Sequence, residues 1–296
     1  MIATITVPAT SANLGIGYDC LGMAVSLYAR FSFERADELS IHGCPEEFRT
    51  EDNLVYRSFL AALEQWGEQP FPVSIGIDTA IPVSRGLGSS STCTVAGIMG
   101  AAALTGRIVG RAEAVSIATR MEGHPDNVAP AIMGSLVCSF TPEGALPRCI
   151  RYDVNRHLKF VTIVPPYEVK TESARKIVPK EVPLSTAVWQ MGRIAGLTRG
   201  LETGDSDLIA AACEDKLQEP YRRTLIPDYD DVRRICLEGG ACTLWISGSG
   251  STMMAATADG LVAESLRARL AALYPAFEVH VLECDTKGVR IAYDRR

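Results

Sequence analysis

Histidine is scarce in this sequence: four residues in 296, with no H-E-x-x-H arrangement. That argues against an imidazole-based metal centre. Cysteine is more frequent, at nine, but the number is odd and no two are spaced C-x-x-C. Neither a disulfide framework nor a zinc site follows, and reduced, buried thiols in a cytoplasmic protein are expected. Net positive charge is also lacking. At −6, with an isoelectric point near 5.4, the chain has no overall basic field for a phosphate backbone, so no nucleic-acid partner is expected. An anionic ligand must be met by local arginines or by backbone amides. The opening residues MIATITVPATSANLG carry neither a basic nor an apolar segment, so no signal peptide is expected. Gly86–Gly106 has no charged residue over about the length of a spanning helix. Its first half, GLGSSSTCT, is polar, and alanine and glycine dominate the apolar remainder. Such a segment suits a helix packed inside a protein, and no membrane partner is expected.

What is present is the balance of a packed globular chain, 47% hydrophobic and 22% charged, long enough for two ordinary domains or one large one. Alternation predicts strands over Ile2–Pro8 and Val25–Phe33, with further strands at Val73–Ile77 and Gly134–Phe140. Asn53 is placed to cap a helix that Gly67 ends after Trp66, and Arg111–Met121 reads as another helix closed by Gly123. The rhythm changes near residue 150. A strand at Leu158–Val164 precedes helical patterns at 171–178, 185–202, 205–216 and 229–238. A strand at Cys242–Ile246, a helix over 259–273 and a strand at Phe277–Leu282 follow. The expected class is α+β in two parts, residues 1–150 and 151–296, with the boundary between 140 and 158.

Four clusters carry chemistry. The first, PATSANLGIGYD, follows a strand and presents Asn13 and Asp19 on a turn of small residues. The second runs Pro82, Val83, Ser84, Arg85, Gly86, Leu87, Gly88, Ser89, Ser90, Ser91, Thr92. It lacks the lysine of a Walker loop, yet amides at a helix start, with the helix dipole, attract anions on their own. Composition leaves two readings open here, a phosphate loop or a serine-capped, tightly packed helix. The third, MEGHPDNVAP, sets Glu122, His124, Asp126 and Asn127 in a loop pinned by prolines. A carboxylate such as Glu122 can hold Mg²⁺ together with nucleotide phosphates. The fourth, SGSGST at Ser247–Thr252, is a second glycine-hydroxyl loop, equally readable as a tight turn. Cations come from TESAR, ending at Arg175, and from EPYR, ending at Arg222.

In this order the clusters resemble the GHMP kinase superfamily, whose phosphate loop is similar to P-x-x-x-G-L-G-S-S. Within it, PATSANLGIGYD, EGHPDNVAP, TESAR, EPYR and SGSGST resemble the homoserine kinases along nearly the whole chain. The resemblance implies an N-terminal half like the second domain of ribosomal protein S5, a ferredoxin-like C-terminal half, and an active site in the cleft between them. It implies ATP as co-substrate, L-homoserine as acceptor, Mg²⁺ as metal, a place on the route to threonine, and a homodimer. Pro82–Thr92 would wrap the phosphates, and Ser89 or Ser90 with Glu122 would hold the metal. Arg175 and Arg222 suit the substrate carboxylate. Asp19 with Asn13 suits the ammonium group. His124, Asp126, Asn127 and Thr171 would orient the hydroxyl. The pattern departs from the superfamily in two places. PATSANLG lacks the lysine that several members set beside a catalytic aspartate, and the spacer Glu122-Gly-His124 is short. A superfamily kinase for another alcohol, such as mevalonate, and a non-catalytic nucleotide-binding homologue are the competing readings.

Overall fold

The computed structural model describes residues 1–294, and it begins with two long antiparallel strands, β1 (Ile2–Ala12) and β2 (Leu21–Arg35), whose register shifts between Pro8 and Ala9. β3 (Ser40–His42), α1 (Leu54–Trp66) and β4 (Val73–Thr79) follow. Next come α2 (Ser89–Thr105), α3 (Arg111–Glu122), α4 (Val128–Met133) and the hairpin β5 (Leu136–Phe140) and β6 (Arg148–Tyr152). The second half runs β7 (Lys159–Val164), α5 (Thr171–Lys176), α6 (Leu184–Thr203), α7 (Ser206–Ala212), α8 (Glu219–Arg222) and α9 (Tyr229–Glu238). It closes with β8 (Thr243–Ile246), β9 (Met253–Thr257), α10 (Gly260–Leu273), β10 (Glu278–Leu282) and β11 (Arg290–Asp294). The fold is α+β, as expected.

Two sheets result. The first has the order β11-β1-β2-β4-β3, with β5 pairing the first residues of β2 and β6 pairing β5. The second is four-stranded and antiparallel, with the order β10-β7-β9-β8. Numbered within the second half, that order is 4-1-3-2 in a strand–helix–strand–strand–helix–strand chain, the ferredoxin-like arrangement. The sheets do not follow a single cut near residue 150, because Arg290–Asp294 return to pair with β1.

Local signals fix the helices as read. The Asn53 side chain accepts a hydrogen bond from the Val55 amide at 2.9 Å, and Gly67 ends α1 in the left-handed conformation. α2 is buried on nearly every side, which explains its lack of charge. Its Gly97 faces α1 so closely that a Cβ there would lie 2.2 Å from the Val55 carbonyl oxygen. In the second sheet, alternation divides two buried faces. Phe160, Trp245, Met254 and Ala256 join the large core shared with the first sheet. Val161, Ile163, Leu244, Ile246, Met253 and Ala255 face a second core with α9 and α10.

Several elements differ from the sequence reading. The apolar run after SGSGST is a strand, β9, and it is central to the second sheet. β3, β6, β11 and α4 carried no clear periodic signal, being three to six residues long. The cysteines are all free, but only Cys213 and Cys236 are buried; the other seven are partly exposed, a correction to the expectation of burial. Among the described residues no helix is long and apolar enough to cross a membrane.

Gly97→Ala is expected to destabilise the protein by about 1–3 kcal/mol by forcing α1 and α2 apart. Urea denaturation with an unchanged m-value is the check, and an unchanged midpoint would refute the close contact.

Candidate active site

The segment 82–88 enters α2 through Gly88, which is left-handed (φ 69°) and serves as the N-cap. No side chain caps this helix, so the serine-cap reading fails. The first-turn amides have no intrahelical acceptors and open onto the loop with the positive end of the helix dipole. Only glycine fits at residue 88, since a Cβ would lie 2.0 Å from Thr10 Oγ1 and 3.2 Å from Asn127 Oδ1. Along the rest of the loop the side chains diverge. Leu87 is buried in the core, Val83 is exposed, and Pro82 is half-buried. Ser84 is exposed and left-handed, at φ 57°. Arg85 turns away to donate to the carbonyls of Val83, Ser84 and Pro166, so its charge points toward the loop after β7. Thr92 is buried and its hydroxyl returns to the Ser89 carbonyl at 2.8 Å.

Glu122, the last residue of α3, faces the first two turns of α2. Its carboxylate accepts from Ser90 Oγ at 2.8 Å, Thr94 Oγ1 at 2.6 Å and Ser91 Oγ at 3.5 Å. A carboxylate beside a serine hydroxyl at a phosphate-binding helix start is a donor set suited to Mg²⁺, which takes one or two carboxylates and completes its octahedron with phosphate and water oxygens. Among the described residues no group of three or more His, Cys, Asp or Glu side chains is arranged to hold a metal ion alone. Such an ion would therefore depend on the nucleotide. Ser90 touches Glu122, whereas no bond joins the Ser89 hydroxyl to it among the described contacts.

The loop after Glu122 carries a linked polar row. His124 Nδ1 and Asp126 Oδ1 lie 2.5 Å apart, and Asp126 is buried. Asn127 Nδ2 reaches the same carboxylate at 3.5 Å, while its Oδ1 accepts from Thr10 Oγ1 at 2.8 Å. The hydrogen bond to Asp126 raises the His124 pKa above the ordinary histidine value against the opposing effect of burial.

The charged pair sits beside this row. Asp19 is left-handed (φ 55°), and its amide donates to Asn13 Oδ1 at 3.0 Å. Arg175 grips the Asp19 carboxylate with two bonds, of 2.9 and 3.1 Å. Arg222 is buried, donates to the carbonyls of Ala174 and Gly248, and lies 4.8 Å from the centre of the Tyr18 ring. Burial lowers its pKa from the usual arginine value. Thr171 lies at the mouth, its hydroxyl 3.4 Å from that of Ser249.

The SGSGST loop joins these groups. Ser247 Oγ donates to the Gly86 carbonyl at 2.6 Å, and the Thr252 amide donates to Arg85 O at 3.1 Å. The Gly248 carbonyl accepts from Asn13 Nδ2 at 2.9 Å and from Arg222 Nη1 at 3.0 Å. Sequence reading assigned no role to Thr10 or Thr94, although both lie inside or next to motifs it quoted. Hydroxyls among glycines and serines give no separate signal; only the fold shows which one meets Asn127 or Glu122.

A family model for the GHMP kinases N terminal domain matches residues 53–135, and one for the GHMP kinases C terminal matches residues 197–276. Fold and site together thus define a GHMP kinase. A homoserine kinase of Nostoc punctiforme is 39% identical over 299 residues, covering 97% of each chain. One of Clostridium beijerinckii is 41% identical over 254 residues, 85% of each chain. The crystal structure of homoserine kinase from Cytophaga hutchinsonii superposes with a TM-score of 0.88 at 30% identity, over 98% of this chain and 97% of that one. A mevalonate kinase structure, at 13% identity and a TM-score of 0.71, shares the fold alone. The chain belongs to the homoserine kinase family.

The His124–Asp126 contact has a signed consequence. The folded pKa of His124 is raised, so the pair stabilises the fold fully below the unfolded value of about 6.5, and the contribution is lost as pH rises through the folded value. Asp126→Asn is expected to move the His124 midpoint down in an NMR titration of the imidazole protons. In parallel, the stability advantage of the native protein over His124→Gln should shrink with rising pH. A midpoint indifferent to Asp126→Asn would mean that another group holds the proton.

Proposed function

We propose that this protein transfers the γ-phosphoryl group of ATP to the side-chain hydroxyl of L-homoserine, giving O-phospho-L-homoserine and ADP on the route to threonine, in the cytoplasm. The observation that carries this reading is the Asp19–Arg175 pair beside Arg222, next to an uncapped helix start. Homoserine is a zwitterion. Its carboxylate would take the Arg175 and Arg222 guanidiniums and its ammonium group the Asp19 carboxylate with Asn13, replacing an internal ion pair with two external ones and no net change of charge. Mevalonate, an acid without an ammonium group, would leave Asp19 uncompensated.

Phosphate oxygens would lie on the amides of Gly86–Ser91, at the positive end of α2. Glu122 with Ser90, and Ser89 nearby, would hold Mg²⁺, which when bound neutralises charge developing on the phosphates. His124, Asp126, Asn127 and Thr171 would aim the acceptor hydroxyl. PATSANLG carries no lysine to pair with Asp126, and phosphoryl transfer through a loose transition state makes a modest demand on the nucleophile. Asp126 and Asn127 therefore act mainly by orientation, with rate supplied by position and charge. The division into an N-terminal nucleotide half and a C-terminal substrate-arginine half fits this assignment, as does assembly into a homodimer.

A coupled ADP-release assay with homoserine, mevalonate or no acceptor tests the reading, and turnover with mevalonate alone would overturn it. Glu122→Gln is expected to lower kcat about a hundredfold, the scale of losing one electrostatic stabiliser, and to shift the Mg²⁺ dependence. Asp126→Asn should retain substantial kcat. Complete loss of turnover in that variant, with homoserine binding and fold intact, would require Asp126 to act as a base.

A further inference from the structure

The loop that carries Asn13 and Asp19 is strained. Asn13, Leu14 and Gly15 are consecutive left-handed residues, with φ of 72°, 45° and 72°, and two of them are not glycine. Left-handed non-glycine residues cost free energy that the surroundings must offset. The loop's own hydrogen bonds do this in part, through Gly17 N to Asn13 O at 2.8 Å and Asn13 N to Leu21 O at 2.7 Å. The remainder comes from the other half of the chain. Three successive carbonyls, of Leu14, Gly15 and Ile16, accept from Cys213 Sγ at 3.5 Å, Gln218 Nε2 at 3.0 Å and Gln190 Nε2 at 3.4 Å.

One carboxylate sets up two of these donors. Asp215 Oδ1 accepts from Gln190 Nε2 at 2.6 Å, which aims that amide. Asp215 Oδ2 accepts from the Gln218 and Glu219 amides at 2.7 and 2.6 Å, and Oδ1 from that of Leu217 at 3.1 Å. These bonds fix the start of α8, and α8 ends at Arg222. Gln218 is fully buried, and its side-chain oxygen has no partner. Leaving a buried polar atom unpaired is costly, and flipping the amide to seek another partner would set oxygen against the Gly15 carbonyl. An apolar side chain would avoid that cost, so the donor bond to Gly15 accounts for a glutamine here.

We propose that Gln218, aligned by Asp215, is a positioning residue for acceptor binding: it clasps the Asn13–Asp19 loop and thereby sets the distance between the Asp19 carboxylate and the guanidiniums of Arg175 and Arg222. The proposal rests on the assignment of those three groups to homoserine. Among the described contacts neither Gln218 nor Asp215 bonds to residues 82–92, so the expected effect is on acceptor binding alone.

The test is Gln218→Leu, which keeps the bulk, removes the donor and also removes the unpaired oxygen. The expected result is a homoserine KM raised about five- to tenfold, the scale of one net hydrogen bond, with the ATP KM and kcat within about twofold and thermal stability preserved or increased. Amide hydrogen exchange over residues 13–19 should accelerate in the same variant. Asp215→Asn, which keeps one capping oxygen, should lie between the native protein and Asp215→Ala in homoserine KM. Parallel loss of stability and of both substrates' KM values would make the role merely structural and overturn the proposal, as would unchanged exchange with unchanged homoserine KM. A native protein with no homoserine turnover would instead sink the functional reading; exchange at 13–19 would then decide the clasp alone.

Discussion

One backbone carbonyl, that of Gly248, accepts hydrogen bonds from two residues that lie more than two hundred positions apart in the chain. Asn13 reaches it from the first loop and Arg222 from the end of α8, while the Gly248 amide donates back to Ala12 at the end of β1. The neighbouring Ser247 and Thr252 bind the phosphate segment at Gly86 and Arg85. The segment 82–88, the Asn13–Asp19 loop and Arg222 thus share one brace of six residues. A glycine is needed opposite the brace because the two backbones pass closely: a Cβ on Gly86 would meet the Ser247 carbonyl oxygen at 2.2 Å.

The electrostatics follow from this convergence. A chain with a net charge of −6 must bind anions by local arrangement. Two devices are available for it, the amides of an uncapped helix and a pair of arginines, and they differ in cost. The amides are fixed in direction by the helix at little desolvation cost. Arg222, by contrast, is held in a buried position and is compensated by two carbonyls and by the face of Tyr18. Arg175 stays partly exposed and is paired to Asp19, so its guanidinium is open to a change of partner.

Much of this arrangement was legible in the sequence where the signal is local. The Asn53 cap and the glycine stops at Gly67 and Gly123 are short-range patterns with a single physical reading, and the alanine and glycine of α2 favoured packing inside the protein. The motifs bearing Asp19, Glu122, Arg175 and Arg222 were visible as clusters before their geometry was known. What could not be read were partnerships formed across the chain. Gln190, Asp215 and Gln218 lie in ordinary helical or turn sequence, and only the approach of residues 174 to 203 positions away shows that they hold a loop. Arg85 lies in the segment read as wrapping the phosphates, where it could supply charge. The packing of the two halves gives it a nearer carbonyl at Pro166.

The pairing of Arg290–Asp294 with β1 bears on how the molecule is made. β1 pairs with a strand that lies far downstream in the chain, so that partner is synthesised long after it. The brace over the phosphate segment also belongs to the later part of the chain. Contacts of such long sequence separation are slow to form and leave edges unpaired in the interval. A nascent chain would thus hold residues 82–88 unbraced and β1 open on one edge until those later segments are made. Later-made residues complete both the first sheet and the brace over Arg85 and Gly86.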